Sequence, residues 1–253
     1  MKPTDSPMKK RALILTTAFV GFLAVRGLAQ LSTADQLAVD AYRSAIRAAQ
    51  SGRSSRGIET AFVALVSTRD VLMQVRNGQS VLEALPDEDF QRLRRELVGA
   101  VVNRDEVVFV KPDPDYFIRL AAARGDRADR AFFSALKATY PGGVWPVYVD
   151  QQTDYSGCTR FGSMTLVGSY RRWLDFQREF PGRYAASASK EIDAVSEHLV
   201  TSTCAGGDLA SADSEFQGFL QAFPASPARA SIEQRLNALR AGRSDIRASC
   251  VGG

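Results

Sequence analysis

Two stretches of the chain, WLDFQREFP at 173–181 and FQGFLQAFP at 216–224, run an aromatic ridge into a proline, and they stand forty-three residues apart. Trp173, Phe176 and Phe180 occupy positions i, i+3 and i+7, which lie within about 60° of one another around a helix and so form one ridge. Proline disfavours helical geometry in the residue before it, so Pro181 and Pro224 stop the two helices. A second apolar stripe follows each stop: Ile192, Val195 and Leu199 in the first copy, Ile232, Leu236 and Leu239 in the second. Each copy therefore predicts a helical hairpin whose ridge is buried by its partner helix and by a neighbouring hairpin. In the later copy Ser226 is expected as the N-cap and Pro227 as the first residue of the second helix. FFSALKATYP, with Phe133, Leu136, Tyr140 and Pro141, repeats the spacing, but GGVWPVYVD follows where the second helix belongs.

The cysteines support the two strong copies independently. Cys158, Cys204 and Cys250 are spaced forty-six and forty-six residues apart, in the contexts SGCTRFG, STCAGG and ASCVGG. Each neighbouring pair brackets one hairpin, and a bond would close a loop of about forty-five residues, with a stabilisation of about 4 kcal/mol. Cys158 with Cys204 is preferred because Cys250 lies in a terminal tail that frays; Cys204 with Cys250 is the alternative. Against both stands geometry: equivalent points on stacked helices are about 8–10 Å apart, beyond disulfide reach unless the loops bend inward.

The segment FQGFLQAFPASPARASIEQRLNALRAG resembles the tetratricopeptide-like hairpins of exported bacterial envelope proteins, in which an aromatic, Pro and Ser run links two helices. The likeness covers 213–242 best and 170–200 less well. It implies a surface that binds protein or peptide segments.

The amino terminus reads as a secretory signal. KKR precedes the run ALILTTAFVGFLAV, and small residues at Gly27 and Ala29 place cleavage after Ala29. The run is shorter than the roughly twenty apolar residues of a membrane span, and Arg26 interrupts it; a retained anchor is the alternative. Export predicts a periplasmic or secreted protein without a stable membrane span after cleavage. The net charge of +4 resides in this segment, where Lys2, Lys9, Lys10, Arg11 and Arg26 face only Asp5. The remaining chain is near neutral, with Lys111, Lys137 and Lys190 as its lysines among many arginines, so no basic face is left for nucleic acid.

Between the signal and the hairpins, 30–104 reads as a helical region and 105–162 as a mixed α/β insert. Leu37, Ala41, Ala45 and Ala49 mark a first helix over 33–50, with Ser32 or Thr33 as its cap. A second is expected over 58–76 through Phe62, Leu65, Leu72 and Val75, ended by Asn77 and Gly78. Pro86 and the acids after it start a third, with Phe90, Leu93, Leu97 and Val101 as its stripe. EVVFVK at 106–111 predicts a strand, paired with VWPVYVD at 144–150, and two helices near 115–124 and 127–139 lie between. The fold class is thus mainly α, with stacked hairpins over 163–253 and at most a small β element in the middle.

Little in the pattern points to catalysis. His198 is the single histidine, at the end of a predicted helix. One His and three dispersed Cys give no zinc spacing. Asp113 with Asp115, and Asp150 with Asp154, are explained by turn formation rather than calcium binding, and no pattern calls for a cofactor. Two carboxylates acting on a glycosidic bond need only meet in space, so a cell-envelope hydrolase stays as the alternative. The preferred expectation is a non-catalytic adaptor for another envelope protein or peptide. Its binding surface is sought in the irregular stretch 144–162, where Trp145, Tyr148, Asp154, Tyr155 and Arg160 are the candidate contacts. The competing role for Trp145 and Tyr148 is to seal the junction between insert and hairpins.

Overall fold

A computed structural model of the chain describes residues 31–52, 56–142, 144–153 and 156–248. The expected signal segment lies outside these residues. The chain is mainly helical, with ten helices and three small sheets among the described residues.

Helix α1 (Thr33–Ser51) starts at a reciprocal cap: Ser32 Oγ accepts from Asp35 N at 3.2 Å, and Asp35 Oδ2 accepts from Ser32 N at 3.2 Å. Its buried stripe is Asp35, Val39, Tyr42, Ile46 and Ala49, whereas Leu37 is 65% exposed. The expected stripe through Leu37, Ala41 and Ala45 is thus corrected. Alanines fit either face, and the larger Val39, Tyr42 and Ile46 decide which side is buried.

Helix α2 (Gly57–Leu72) packs on α1 and stops before the expected end at Arg76. Val75–Arg76 (β1) and Gln79–Ser80 (β2) form a hairpin instead, turned by Asn77 (φ 54°) and Gly78 (φ 85°). Asn-Gly is the sequence that a tight hairpin with two positive φ values prefers, so here it makes a β-turn rather than a helix stop. Helices α3 (Val81–Ala84) and α4 (Asp87–Glu96) follow, and α4 ends at Leu97. Val101 therefore belongs to a strand, not to the α4 stripe.

That strand corrects the expected pairing. Ala100–Asn103 (β3) pairs antiparallel with Phe109–Pro112 (β4), with Val102 opposite Val110. Gly99, at φ 83°, turns the chain between α4 and β3, and a Cβ there would lie 2.4 Å from the Tyr116 ring. Helices α5 (Pro114–Arg124) and α6 (Arg127–Thr139) form the next hairpin, close to expectation. The chain then reaches Val149–Gln151 (β5), whose partner is Gly157–Thr159 (β6) rather than the 106–111 segment.

The two aromatic-proline copies fold as hairpins. The first is α7 (Thr165–Glu179) with α8 (Ala185–Thr201), and the second is α9 (Leu209–Ala222) with α10 (Arg229–Arg240). Helix α10 begins after Ala228, so Ser226 and Pro227 form a turn before the helix instead of its cap and first residue; Ser226 Oγ still accepts from Ala228 N at 3.2 Å.

A short strand closes each period. Cys204–Ala205 (β7) follows the first hairpin and Arg247–Ala248 (β8) the second, and both join the sheet in the order β5-β6-β7-β8, with parallel pairing from β6 onward. Neighbouring strands are about 4.8 Å apart, half the spacing of helices, which removes the geometric objection to a disulfide. Cys158 and Cys204 are bonded, with Cα atoms 4.9 Å apart. The residue opposite Cys204 on β8 is Arg247; Cys250 lies outside the described residues.

Two apolar cores result. The larger is built from α1, α2, α4, β3, β4, α5 and α6, and receives Trp173, Phe176 and Tyr184 from the first hairpin. The smaller contains Leu166, Tyr170, Val195 and Leu199 of the same hairpin together with Phe216, Phe219 and Ile232 of the second. Ile192 packs against both.

Candidate functional site

Three of the five residues expected to bind a partner are among the described ones, and Arg160 N donates to the Tyr148 carbonyl at 2.9 Å. Tyr148 is buried, its ring edge-on to the His198 ring at 5.1 Å. Trp145 packs against the smaller core, and Arg160 is exposed and ion-paired with Asp150. Asp154 and Tyr155 lie outside the described residues.

His198 has a structural setting. Its Nδ1 lies 2.9 Å from Thr159 Oγ1, which donates to Ser202 Oγ at 2.7 Å, tying α8 to the strand that carries Cys158. Burial pushes its pKa down, against the opposing Glu197 charge. Asp113 caps α5, and Asp115 pairs with Lys137 at 2.9 Å. Among the described residues no group of three His, Cys, Asp or Glu side chains is placed to hold a metal ion.

Carboxylates do converge, on a cation. Arg183, in the turn between α7 and α8, bonds Glu59 at 2.6 Å, Asp126 at 2.6 Å and Asp129 at 2.9 Å. Glu59 also accepts from Tyr184 N, and Asp129 accepts from Tyr184 Oη at 2.8 Å. A second buried carboxylate, Glu215 of α9, accepts from the backbone N–H groups of Gly162 and Met164 at 2.9 and 2.8 Å, supplying the cap that α7 lacks. Burial pushes its pKa up despite these donors.

A different place has the character of a binding site. A cavity of about 120 Å³ opens between α2, β4, α5, α6 and α8, walled by Phe62, Val66 and Leu136. Four charged side chains line it: Arg69, Lys111, Lys190 and Glu191. Lys111 Nζ donates to the Val144 carbonyl and faces the Phe109 and Tyr140 rings at 6.0 and 5.7 Å. Glu191 accepts from Tyr140 Oη at 2.9 Å. Among the described residues neither Lys111 nor Glu191 has an oppositely charged partner within 4.0 Å. Burial lowers the Lys111 pKa, helped by the Arg69 charge and opposed by Glu191. Burial raises that of Glu191, opposed by the Tyr140 hydrogen bond and the cations around it. Burial and then the Glu191 charge push the Tyr148 hydroxyl up as well, so one expected site residue lies electrically behind this cavity.

Sequence reading missed the site because Lys111, Tyr140 and Glu191 share no spacing. One signal was present: in a chain that uses arginine almost throughout, two of the three lysines after residue 29 line this cavity. A lysine is a compact charge whose pKa shifts readily on burial, whereas arginine stays charged.

Comparison with protein-family models, with curated proteins and with solved structures finds no match.

Proposed function

We propose that the chain is an exported, non-catalytic binding protein of a bacterial cell envelope, offering the cavity between α2 and α8 to a segment of another envelope protein or peptide. The observation that carries this reading is the cavity itself: apolar walls with a few polar groups converging on them is the usual composition of a binding pocket. The Cys158–Cys204 bond fits an oxidising compartment, and the leader at 1–29 supplies a route to it. The tetratricopeptide-like hairpins supply the scaffold, with α8 of the first hairpin forming one wall. No helix among the described residues is long and apolar enough to cross a membrane. For the rival, an envelope hydrolase, the cavity provides a single carboxylate, Glu191, among three cations.

The test is cross-linking of the tagged protein in its own host, followed by mass spectrometry of what is retained. One dominant envelope protein is expected, lost on Ser187→Trp, which sets an indole over the cavity mouth. Recovery of the protein alone would end the adaptor reading.

A further inference from the structure

Lys111 and Glu191 pose the same problem with opposite signs. Each holds a partly desolvated charge in the wall of one cavity, and among the described residues neither has an oppositely charged partner within 4.0 Å. A charge taken out of water is costly unless another group compensates it. Lys111 has three donors and uses one on Val144, leaving N–H groups for an acceptor. Glu191 has four lone-pair sites and uses one on Tyr140, leaving acceptors for a donor. The two do not satisfy each other, so a ligand that satisfies both must carry an acceptor and a donor close together.

The remaining walls define the rest of that ligand. Phe62, Val66 and Leu136 are apolar, and the volume of about 120 Å³ approaches that of an engineered cavity that admits benzene, about 150 Å³. One branched aliphatic side chain fills such a space. Three cations against Glu191, with Asp70 engaging Arg69 from outside, set the sign of the larger charge as anionic.

We infer that the cavity holds an apolar residue ending in a free α-carboxylate, its carboxylate on Lys111 and its adjacent N–H on Glu191. This deepens the binding role proposed above and rests on it. Two sources present this chemistry, the carboxyl terminus of a peptide and a free amino acid.

Calorimetric titration of the full chain separates them, using leucine, N-acetyl-leucine and N-acetyl-leucinamide. Saturable binding of at least one acid is expected, with the amide at least about ten-fold weaker, a difference of about 1.4 kcal/mol. Tighter binding of N-acetyl-leucine assigns the site to a chain terminus; tighter binding of leucine assigns it to the free amino acid. Lys111→Gln, which keeps a donor for Val144, should bind acid and amide alike. Glu191→Gln should weaken leucine more than N-acetyl-leucine, because only leucine loses an ammonium partner.

The wild-type comparison of acid with amide requires no variant to fold. Equal binding of the two, or no saturable binding by either acid up to about 10 mM, overturns the assignment. A partner retained in cross-linking while both acids fail would overturn it and leave the adaptor role standing; binding of an acid without any partner would do the reverse.

Discussion

The two hairpins share a sequence pattern and differ in what surrounds them. Superposing the copies by their period sets Trp173 on Phe216, Phe176 on Phe219 and Arg183 on Ser226. In the first hairpin Trp173 is fully buried in the larger core and donates Nε1–H to Thr139 Oγ1 at 3.1 Å. Its turn is tied to groups outside the hairpin through Arg183, bonded to Asp129, and Tyr184, which stacks on Phe132 with ring centroids 3.9 Å apart. In the second, Phe216 is equally buried but meets Phe161, the Arg235 guanidinium and the smaller core, and the turn is held by Ser226. The motif sets the hairpin; the neighbours set how much of the molecule depends on it.

Substitutions at matched positions test that contrast. Trp173→Ala should destabilise the protein by about 5 kcal/mol and Phe216→Ala by about 4 kcal/mol in denaturant unfolding. The reverse order would break the claim that the first hairpin joins the two cores. Replacing Cys158 and Cys204 together by Ser should cost about 4 kcal/mol, from the chain entropy of the released loop. A loss below about 1 kcal/mol would show that the parallel strands hold that hairpin without the bond.

Arg183→Ala should cost about 3 kcal/mol, because it strands carboxylates that include the buried Asp129, whereas Ser226→Ala should cost about 1 kcal/mol. Equal losses would erase the distinction between the turns. The smallest effect is a pH dependence that Glu191 of the first hairpin shares with the buried Glu215 of the second. Burial holds the Glu191 pKa above its ordinary value of 4.5, so the folded state keeps this proton longer than the unfolded chain. Stability therefore falls as pH rises from about 4.5 toward the folded value. Glu191→Gln should flatten that decline in thermal melts collected across pH; an unchanged slope would place its origin elsewhere.

Helices were legible wherever large apolar residues recur, as along α7 and α9, and much less so where alanine dilutes the pattern, as in α1. Strand pairing was not legible. Val101 continues the α4 spacing so well that only the positive φ of Gly99 reveals the break. Spacing admitted two disulfides equally, and the terminal position of Cys250 tipped the choice; the reason the bond can form was hidden, since two-residue strands such as β7 and β8 leave no periodic trace. Of the candidate contact surface, Tyr148 is buried and Trp145 packs against the smaller core, and the stretch touches the cavity wall through the Val144 carbonyl that Lys111 bonds. The cavity draws its lining from five elements, and its two lysines are the one trace of it in the sequence.

The long reach of Glu59 bears on modularity. The N–H that starts α8 finds its acceptor 125 residues back along the chain, in α2, through the Tyr184 N to Glu59 Oε1 bond of 2.5 Å. A repeat array is commonly trimmed or extended one unit at a time, because each unit leans only on the next. Here the first unit takes the opening of its second helix from α2, and the counter-charges of its turn from α2 and the start of α6, all outside the two hairpins. A fragment beginning at α7 would inherit the pattern of the hairpins without the instruction for where α8 begins.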